Sequence, residues 1–374
     1  MKSARSIRIF TGISIAVLTI SAVSALAFTT VTASIEKIDA FAGLDKRPEK
    51  KSSAVNYLIV GSDTREGLTR AEQKELRVGS VKTAAGKRSD TMLLVHVSKA
   101  RDKAVIISIP RDSYALIPAH KNSAGKEISA AYSKINSSFN WGGAPLLIQT
   151  FEGMSNLKID HYIEINFVGF ARIVDSLGGI EVCTKKDIDD PKSHLVLPAG
   201  VHNLNGIEAL KYVRTREFDG LGDIGRMQRQ QAFMSSVVKK ATSLGVLLNP
   251  VTMTSFINSA LSAVTTDSGL NSSELIVLAK QLKSLSASNV RTLTVPLSDL
   301  NYYANGVTAS VLWDPVLAPQ LWDRLREDRA VIDEVKPSPS PSATVSIDCC
   351  CSTCDKSAMR SRIMAACSNC ILSL

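Results

Sequence analysis

Residues 55–65 read VNYLIVGSDTR, a nearly continuous run of aliphatic and aromatic side chains that ends at a polar segment. Such a run predicts a central β-strand covered on both faces, because a half-exposed strand would alternate polar and apolar residues. The polar segment brings Asp63 and Arg65 directly after the end of that strand. A fold that gathers its strand ends at one edge of a sheet would place both side chains there.

The rest of the chain repeats this alternation of apolar runs and amphipathic segments. Further strands are predicted at 91–98, 103–110, 161–166, 180–183 and 290–297. Helical spacing predicts helices at 144–153, 166–177, 205–214, 224–243 and 271–286, the second of which is followed by Gly178 and Gly179. Because strands and helices alternate, the predicted fold class is α/β, a sandwich around a central mixed sheet.

The composition of the 374 residues narrows the classes of protein and of partner. Hydrophobic residues make up 45% and charged residues 21%, which excludes a chain that is disordered throughout. The length fits two or three domains, or one domain of roughly 270 residues with appendages. The net charge of +9 favours anionic partners, among them nucleic acid, membrane headgroups, cell-wall polymers and phosphorylated small molecules.

The N-terminus predicts a membrane anchor. Lys2, Arg5 and Arg8 precede residues 9–35, which carry no charge and are long enough to cross a hydrocarbon core of about 30 Å. The positive-inside rule predicts a cytoplasmic tip at 1–8, a single transmembrane helix that serves as signal anchor, and a domain outside the cell membrane. Cleavage by a signal peptidase at the segment ALA (25–27) is the alternative.

Export argues against nucleic acid as the partner of the positive charge. Residues 40–335 also lack zinc-finger and helix-turn-helix spacings. The polar residues 36–54 predict a tether, and residues 55–335 predict the extracytoplasmic domain. The segment KPSPSPSATVS predicts a Pro/Ser linker over 336–348. The tail at 349–374 holds six of the seven cysteines in a pattern that leaves a zinc site, disulfides or a dispensable appendage open.

Acidic and arginine residues cluster where apolar runs begin or end. They form the segments 61–65, 88–91, 110–112, 212–216 and 222–231. In the last of these, Arg226, Arg229 and Gln230 share one face of a helix that Asp223 is placed to cap. Carboxylates hold Mg²⁺ through oxygen, and guanidinium groups bind phosphate oxygens in pairs. These segments therefore predict a site for a divalent cation and a di- or triphosphate.

Seven motifs together resemble the LytR-CpsA-Psr family. In the family's order they are VGSDTR (60–65), RSDTMLLVHV (88–97), ISIPRDSY (107–114), KINSSFNWGG (134–143), IDHYIEINFVGFARIVDSLGGIEV (159–182), LNGIEALKYVRTR (204–216) and GDIGRMQRQQ (222–231). They occupy a motif core at 55–245, behind a single N-terminal apolar segment of the kind found in the family. The resemblance implies an α/β/α sandwich in which an apolar tunnel holds a lipid tail.

The resemblance also implies an activity. Family members are extracytoplasmic phosphotransferases that take a glycopolymer from a polyprenyl-pyrophosphate carrier and attach it to peptidoglycan through a phosphodiester. The implied partners are the lipid-linked glycopolymer, the peptidoglycan acceptor and the membrane, and the implied cofactor is Mg²⁺ or Mn²⁺. An exported pyrophosphatase with the same site, and a non-enzymatic regulator or attenuator of envelope assembly, stay open as alternatives. The sequence leaves the polymer, the general base and the oligomeric state open.

The motifs assign the site residue by residue. Asp63 and Asp90 match the metal-binding aspartates of the family. The matches to residues around the pyrophosphate are Arg65, Arg88, Arg111, Arg214, Arg216, Arg226, Arg229 and Gln230. Asp112 is a weaker match, as a carboxylate that orients the acceptor or supports the turn. The implied catalytic set is Asp63, Arg65, Arg88, Asp90, Arg111 and Asp112.

Two further groups of residues are predicted to have structural roles. The apolar helix faces that carry Phe167, Phe170, Phe233 and Val237 would suit a lipid tunnel, but amphipathic helices usually face a core. The sequence therefore favours core packing for these four side chains. Histidines at strand positions, His96 and His161, are predicted to pack or to lie at the surface.

Overall fold

The computed structural model describes residues 36–63, 89–122, 124–215, 222–241, 264–270, 274 and 289–331. The predicted anchor, the Pro/Ser linker, the cysteine-rich tail and nearly all of the predicted helix at 271–286 lie outside these residues. The same is true of Arg65, Arg88 and Arg216. Within the described ranges, no helix is both long enough and apolar enough to cross a bilayer.

The described chain contains strands and helices, as predicted, but several runs of consecutive strands, such as β10 to β13, separate the described helices. The strands are β1 (Glu36–Ile38), β2 (Val55–Ser62), β3 (Ser89–Val97), β4 (Ala104–Ile109), β5 (Tyr114–Ile117), β6 (His120–Lys121), β7 (Glu127–Ile128), β8 (Ala131–Lys134), β9 (His161–Ile165), β10 (Ile180–Thr184), β11 (Ile188–Asp190), β12 (Leu195–Leu197), β13 (Gly200–Leu204), β14 (Val264–Asp267), β15 (Val290–Thr294), β16 (Leu297–Ala304) and β17 (Val307–Trp313). The helices are α1 (Ile135–Ser155), α2 (Phe167–Ser176), α3 (Gly206–Arg214), α4 (Gly222–Ala241) and α5 (Leu317–Arg326).

Seven strands form the central sheet, in the order β1-β14-β9-β2-β3-β4-β15. β2 pairs parallel with β9 and antiparallel with β3, and β4 pairs parallel with β15. The sheet is therefore mixed, as predicted. Strand β2 lies in its middle and is covered on both faces, which agrees with its unbroken apolar run.

Helices cover both faces of this sheet. On one face, Leu58 of β2 joins Phe151 of α1 and Trp322 of α5 in a single buried cluster. On the other face, Ile59 and Leu93 point towards α2, α3 and α4. The domain is thus an α/β/α sandwich, and the fold class predicted from the sequence is confirmed for the described residues.

Strand direction gathers the predicted site at one edge of the sheet. β2, β4, β9 and β15 run in the same direction and end at this edge, whereas β3 runs in the opposite direction and begins there. Gly61 lies opposite Thr91 on one side and Ile165 on the other. Open α/β sheets bind ligands beyond the carboxyl ends of their strands, so this edge is the expected place for a site.

Residues 36–54, predicted to form a tether, instead pack against the domain. β1 extends the sheet by pairing with β14, and Ala40 is fully buried. Arg47 forms an ion pair with Glu152 of α1, at 2.6 Å between Nη2 and Oε1. The folded unit therefore includes residues from 36–54 and is not limited to residues after 55. The polar composition of residues 36–54 could not predict this packing, because the contacts are with β14 and Glu152, which are distant in the sequence.

Glu152 is buried and links this N-terminal segment to the helix layer. Its Oε1 atom accepts from the Ile159 N–H at 2.8 Å as well as from Arg47. We expect Glu152→Gln to lower the free energy of unfolding by about 2 kcal/mol, because it removes the charge that faces a largely buried guanidinium. Lys50→Ala, which removes a more exposed ion pair with Asp160, should cost less than about 1 kcal/mol. Urea unfolding of the two variants checks this order, and a reversed order would contradict it.

His96 is a packing residue, as predicted. Its buried ring lies between two polar partners, with Nδ1 2.7 Å from Asn56 Oδ1 and Nε2 3.2 Å from Asp328 Oδ1. Burial lowers the pKa of His96 below its ordinary value of 6.5, and the Asp328 carboxylate only partly opposes this effect.

The lowered pKa of His96 predicts a pH-dependent stability. Near pH 6.5 the unfolded chain binds a proton that the folded chain does not bind. His96 therefore leaves the unfolding free energy unchanged above that pH. The unfolding free energy decreases as the pH falls from there towards the pKa of His96 in the folded protein. We expect the unfolding free energy to decrease between about pH 7.5 and about pH 5.5, and His96→Gln to flatten this dependence. Urea unfolding at several pH values measures it, and an equal slope in the variant would argue against this role.

Candidate active site

A cavity of about 380 Å³ lies between the sheet and helices α2, α3 and α4, at the edge where the strands end. Its apolar wall consists of Ile59, Leu93, Ile165, Phe167, Phe170, Leu210, Val213, Phe233 and Met234. Its polar wall consists of Ser62, Thr91, Asn166, Lys192, Ser193, Arg214, Arg226 and Gln230. An apolar interior with a few convergent polar groups is the usual composition of a ligand site.

Capping residues and one glycine determine where α2 and α3 begin and how closely they pack. Asn166 caps α2, and Asn205 caps α3 as part of a capping box with Glu208. A side-chain carbon at Gly206 would lie 2.3 Å from the Ala171 carbonyl oxygen, so glycine is required for α3 to approach α2 this closely. The close approach places the cavity-lining residues of both helices on one wall.

Positive charge is concentrated on the polar wall. It comes from Arg214 at the end of α3, Arg226 in α4 and Lys192 between β11 and β12, and the described lining residues include no carboxylate. The Arg214 guanidinium lies 5.1 Å from the centroid of the Phe167 ring, at the boundary between the polar and apolar walls. Arg226 is only 6% exposed. Guanidinium groups in such surroundings favour a phosphate group attached to an apolar chain.

Two of the site residues predicted on α4, Gln230 and Arg229, differ in whether they line the cavity. Gln230 lines the cavity, and its Nε2 donates to the Val213 carbonyl oxygen at 3.2 Å. Arg229 is buried and is not among the described lining residues, and its Nη2 donates to the Thr215 carbonyl oxygen at 2.5 Å. This bond fixes the end of α3 from which Arg214 reaches the cavity. Contact between Arg229 and phosphate therefore stays a prediction, while its positioning role is visible.

Asp63 and Asp90 lie at adjacent strand ends. Asp63 directly follows β2 and is half-buried, and Asp90 is the second residue of β3. The pairing of these two strands shifts by one residue at Asp90, which places it in a β-bulge. Bulges are frequent beside active sites. Carboxylate oxygens are the hard ligands that Mg²⁺ or Mn²⁺ prefers, so the residue types of the predicted pair suit such an ion.

The turn formed by Pro110, Arg111 and Asp112 lies at the same edge, directly after β4. The Asp112 carboxylate is flanked by two cations, Arg111 Nε and Lys134 Nζ, each at 3.4 Å. The main chain of the turn is held by N–H donors from the first turn of α1 and from β17. The turn therefore presents a guanidinium and a carboxylate from a fixed backbone.

The apolar helix faces pack in the core, as predicted, and they also line the cavity: Phe233 is buried in an apolar cluster against which Phe170 packs, and Phe167 packs beside Leu210. Phe167, Phe170 and Phe233 are among the lining residues, whereas Val237 packs in the adjoining cluster and is not among the described lining residues. The rings of Phe170 and Phe233 lie 5.5 Å apart and form part of one wall. Helical periodicity identifies the buried face of a helix, but it does not distinguish a filled core from a cavity.

Lys192 and Ser193 line the cavity but were not predicted from the sequence. The backbone N–H groups of both donate to Asp190 Oδ1, at 2.8 and 3.3 Å, so the aspartate shapes the turn that carries them to the cavity. The segment DDPKS (189–193) contained a signal for this turn, because aspartate and proline favour such backbones. Its proximity to Arg214 depends on the tertiary fold.

Comparison with protein families assigns the chain. The family described as LytR_cpsA_psr matches residues 21–322. The chain belongs to the LytR_cpsA_psr family. The resemblance drawn from the seven motifs is thereby confirmed, and the match extends beyond the motif core at both ends.

Two similar proteins have names that refer to cell-wall synthesis. LcpB of Corynebacterium glutamicum, named a probable cell wall biosynthesis protein, is 35% identical over 275 residues, which are 74% of this chain and 62% of LcpB. TagT of Bacillus subtilis, named a polyisoprenyl-teichoic acid–peptidoglycan teichoic acid transferase, is 34% identical over 203 residues, or 53% of this chain and 55% of TagT. The chain spans about three fifths of the length of these curated relatives.

A solved structure agrees with the fold. The structure of TagT bound to LIIa-WTA is 25% identical to this chain, with a TM-score of 0.55, and the match covers 77% of this chain and 98% of that one. This likeness supports the α/β fold described for this chain.

Proposed function

We propose that this member of the LytR-CpsA-Psr family is a phosphotransferase. It would move a glycopolymer from a polyprenyl-pyrophosphate carrier to peptidoglycan and join the two through a phosphodiester bond. The observation that carries the proposal is the cavity, which combines a continuous apolar wall with three cations at one end of the sheet. The names of LcpB and TagT support a role in building the cell wall.

The two walls of the cavity suit the two halves of such a carrier. Isoprenoid units would lie against the phenylalanine-rich wall, where each buried methylene contributes about 0.8 kcal/mol. The pyrophosphate would lie at the polar wall, within reach of Arg214, Arg226 and Lys192. Guanidinium groups bind phosphate oxygens in pairs, so the arginines would fix the orientation of the group and not only its charge.

The proposed reaction is a displacement at phosphorus. A hydroxyl of the acceptor attacks the phosphorus on the sugar side of the pyrophosphate, and a new P–O bond forms. The bond from that phosphorus to the bridging oxygen breaks, and polyprenyl phosphate leaves with this oxygen. Arg111, Arg214 and Arg226 would stabilise the charge on the phosphoryl oxygens. Asp112 would orient the attacking hydroxyl, and the hydroxyl proton would pass to a base or to water.

Asp63 and Asp90 would hold Mg²⁺ or Mn²⁺. Among the described residues, no group of three His, Cys, Asp or Glu side chains is placed to hold a metal ion. A hard cation also takes phosphate oxygens and water as ligands, and these would complete its shell. When bound, the ion would supply positive charge at the pyrophosphate. Arg65, Arg88 and Arg216 would add to the same site through the motifs that contain them.

We also propose that residues 9–35 anchor the chain in the cell membrane, with residues 1–8 in the cytoplasm and the catalytic domain outside. The proposed carrier lipid and wall acceptor would both be reached from the outer face of that membrane. β1 begins at Glu36, directly after the proposed anchor. Because residues within 36–54 pack against the domain, they would hold the cavity close to the bilayer that supplies the carrier.

Reconstitution tests this function. The full chain is placed in liposomes with Mg²⁺, a polyprenyl-pyrophosphate-linked oligosaccharide and peptidoglycan fragments, and products are analysed by mass spectrometry. We expect an oligosaccharide joined to peptidoglycan through phosphate. Release of sugar phosphate without transfer would instead indicate a pyrophosphatase. Binding of the lipid without turnover would indicate a regulator.

A further inference from the structure

Three tyrosine rings form a cluster beside the Arg111–Asp112 turn. Tyr114 of β5 stacks on Tyr132 of β8, with ring centroids 5.0 Å apart and an interplanar angle of 3°. Tyr302 of β16 meets Tyr114 edge-on, also at 5.0 Å. The hydroxyl of Tyr114 accepts from Asn305 Nδ2 at 2.5 Å. Because these contacts hold the rings in place, a ligand would meet a preformed surface.

The rings belong to the outward face of the β5–β8 ribbon. Ala115 points inward and is 2% exposed, whereas its neighbour Leu116 is 48% exposed and Tyr132 is 46% exposed. Leu116 lies directly opposite Tyr132 in the register, so both side chains are on the same face. We use the term tyrosine platform for Tyr114, Leu116, Tyr132 and Tyr302. Tyr114 and Tyr302 are half-buried and support the two exposed side chains, Leu116 and Tyr132. A contiguous apolar surface of this kind often marks an interaction site.

The tyrosine platform is continuous with the candidate active site. Tyr114 follows Asp112 by two residues. Lys134, which lies directly opposite Tyr114, approaches the Asp112 carboxylate to 3.4 Å. Ala115 packs in the cluster of α1, so the platform lies on the α1 side of the sheet, and the cavity lies on the α2–α4 side. Both lie near the sheet edge that holds Ser62 and Thr91 of the cavity and the Arg111–Asp112 turn after β4.

This arrangement matches the geometry of displacement at phosphorus. The attacking and leaving oxygens lie roughly in line, on opposite sides of the phosphorus. The leaving group in the proposed reaction is polyprenyl phosphate, and its tail would extend into the cavity. The attacking hydroxyl therefore has to approach from the side away from the cavity, where the tyrosine platform begins.

The side chains of the platform suit a sugar chain. The faces of aromatic rings carry partial negative charge, and the C–H groups on the flat faces of pyranose rings carry partial positive charge, so the two stack. Lys134, Asn305 and Asp112 at the rim would form hydrogen bonds with sugar hydroxyls. We propose that the tyrosine platform binds the acceptor, an amino-sugar glycan strand of peptidoglycan, and positions its hydroxyl at Asp112. This inference rests on the proposed function for the identity of the reaction.

Binding of peptidoglycan tests the platform without any lipid donor. The full chain in detergent is sedimented with peptidoglycan sacculi stripped of attached polymers, for wild type, Tyr132→Ala and Tyr132→Trp. We expect Tyr132→Ala to raise the half-saturating amount of sacculi about tenfold and Tyr132→Trp to retain binding, because stacking needs a ring and not a hydroxyl. Tyr303→Ala removes a neighbouring tyrosine that is 59% exposed and should bind as wild type. Equal binding of Tyr132→Ala and wild type would overturn the inference.

Kinetics of the reconstituted reaction separate the platform from the proposed function. Tyr132→Ala should raise the half-saturating concentration of soluble peptidoglycan fragments about tenfold and leave that of the lipid donor unchanged. A rise for the donor alone would assign the platform to the donor's sugars and overturn the inference. Tyr132-dependent binding of sacculi without any covalent product would support the platform and contradict the phosphotransferase. If Tyr132→Ala transfers the polymer with the same half-saturating concentration of acceptor as wild type, the result would support the phosphotransferase and contradict the platform.

Discussion

Replacing Asp63 by asparagine is expected to slow glycopolymer transfer by about 10²–10³-fold while the domain stays folded. Asp63 follows β2 at the edge of the sheet that also carries the Arg111–Asp112 turn, and it is half-buried. Asparagine has nearly the same shape but no charge, so the substitution removes one of the two proposed carboxylate ligands of the metal ion. The rate of product formation in liposomes, at saturating donor and acceptor, measures the effect.

The metal requirement of this variant provides an independent readout. If Asp63 holds Mg²⁺, Asp63→Asn should need a higher Mg²⁺ concentration for half-maximal rate than wild type does. Asp45→Asn is the matched control, because Asp45 is exposed and belongs to none of the predicted motifs. Thermal unfolding confirms that both variants are folded. A folded Asp63→Asn variant with wild-type rate and wild-type Mg²⁺ dependence would remove Asp63 from the site.

Filling the cavity should affect the lipid donor in a way that depends on its length. Met234 lines the apolar wall from α4, and Met234→Trp would place a larger ring in the space assigned to the isoprenoid chain. We expect at least a tenfold loss of transfer from a long-chain donor, since overpacking of this kind costs about 1–3 kcal/mol. A donor with a short prenyl chain should lose less, because fewer of its carbons reach that wall.

A conservative change at the same position controls for general damage. Met234→Leu nearly preserves the side-chain volume and should keep transfer from both donors close to wild type. Parallel transfer assays with the long and short donors, together with thermal unfolding, separate a blocked cavity from a destabilised domain. Equal losses with both donors in a stable Met234→Trp variant would show that the isoprenoid chain does not lie along this wall.

Local patterns in the sequence predicted the elements that build the site. The apolar runs gave β2, β3 and β4 because strands covered on both faces need few polar residues. The motifs then placed Asp63, Asp90 and Arg111 at strand ends, and the sheet register brings those ends to one edge. Periodicity also predicted α2, α3 and α4, since each presents an apolar face to the sheet.

Features that depend on distant contacts could not be predicted. The charged residues of 36–54 predicted a tether, but Arg47 forms an ion pair with Glu152, which lies more than a hundred residues later in the sequence. The sequence assigned residues 134–143 to a motif but to no helix. In the structure α1 begins at Ile135, and its backbone is non-helical at Gly143. Asp223 is the second residue of α4 and not the residue before it, a shift within the usual uncertainty of helix ends.

The cavity shows the same limit of sequence reasoning. Phe170 and Phe233 were correctly placed on buried helix faces, but whether these faces enclose a core or a cavity depends on the spacing between the layers. The close contact of Gly206 with α2 sets part of that spacing, and no local pattern predicts it. The tyrosine platform likewise joins β5 and β8 to β16, although Tyr302 lies far from Tyr114 in the sequence.

Photo-crosslinking of the carrier lipid tests the central claim most directly. A polyprenyl-pyrophosphate with a diazirine in its isoprenoid chain is irradiated with the full-length protein in liposomes, and labelled peptides are mapped by mass spectrometry. We predict labels on α2 and α4, at or beside Phe170 and Phe233, and loss of these labels when unlabelled carrier competes. Labels found only on the opposite helix layer, at α1 or α5, would contradict the assignment of the cavity to the carrier lipid.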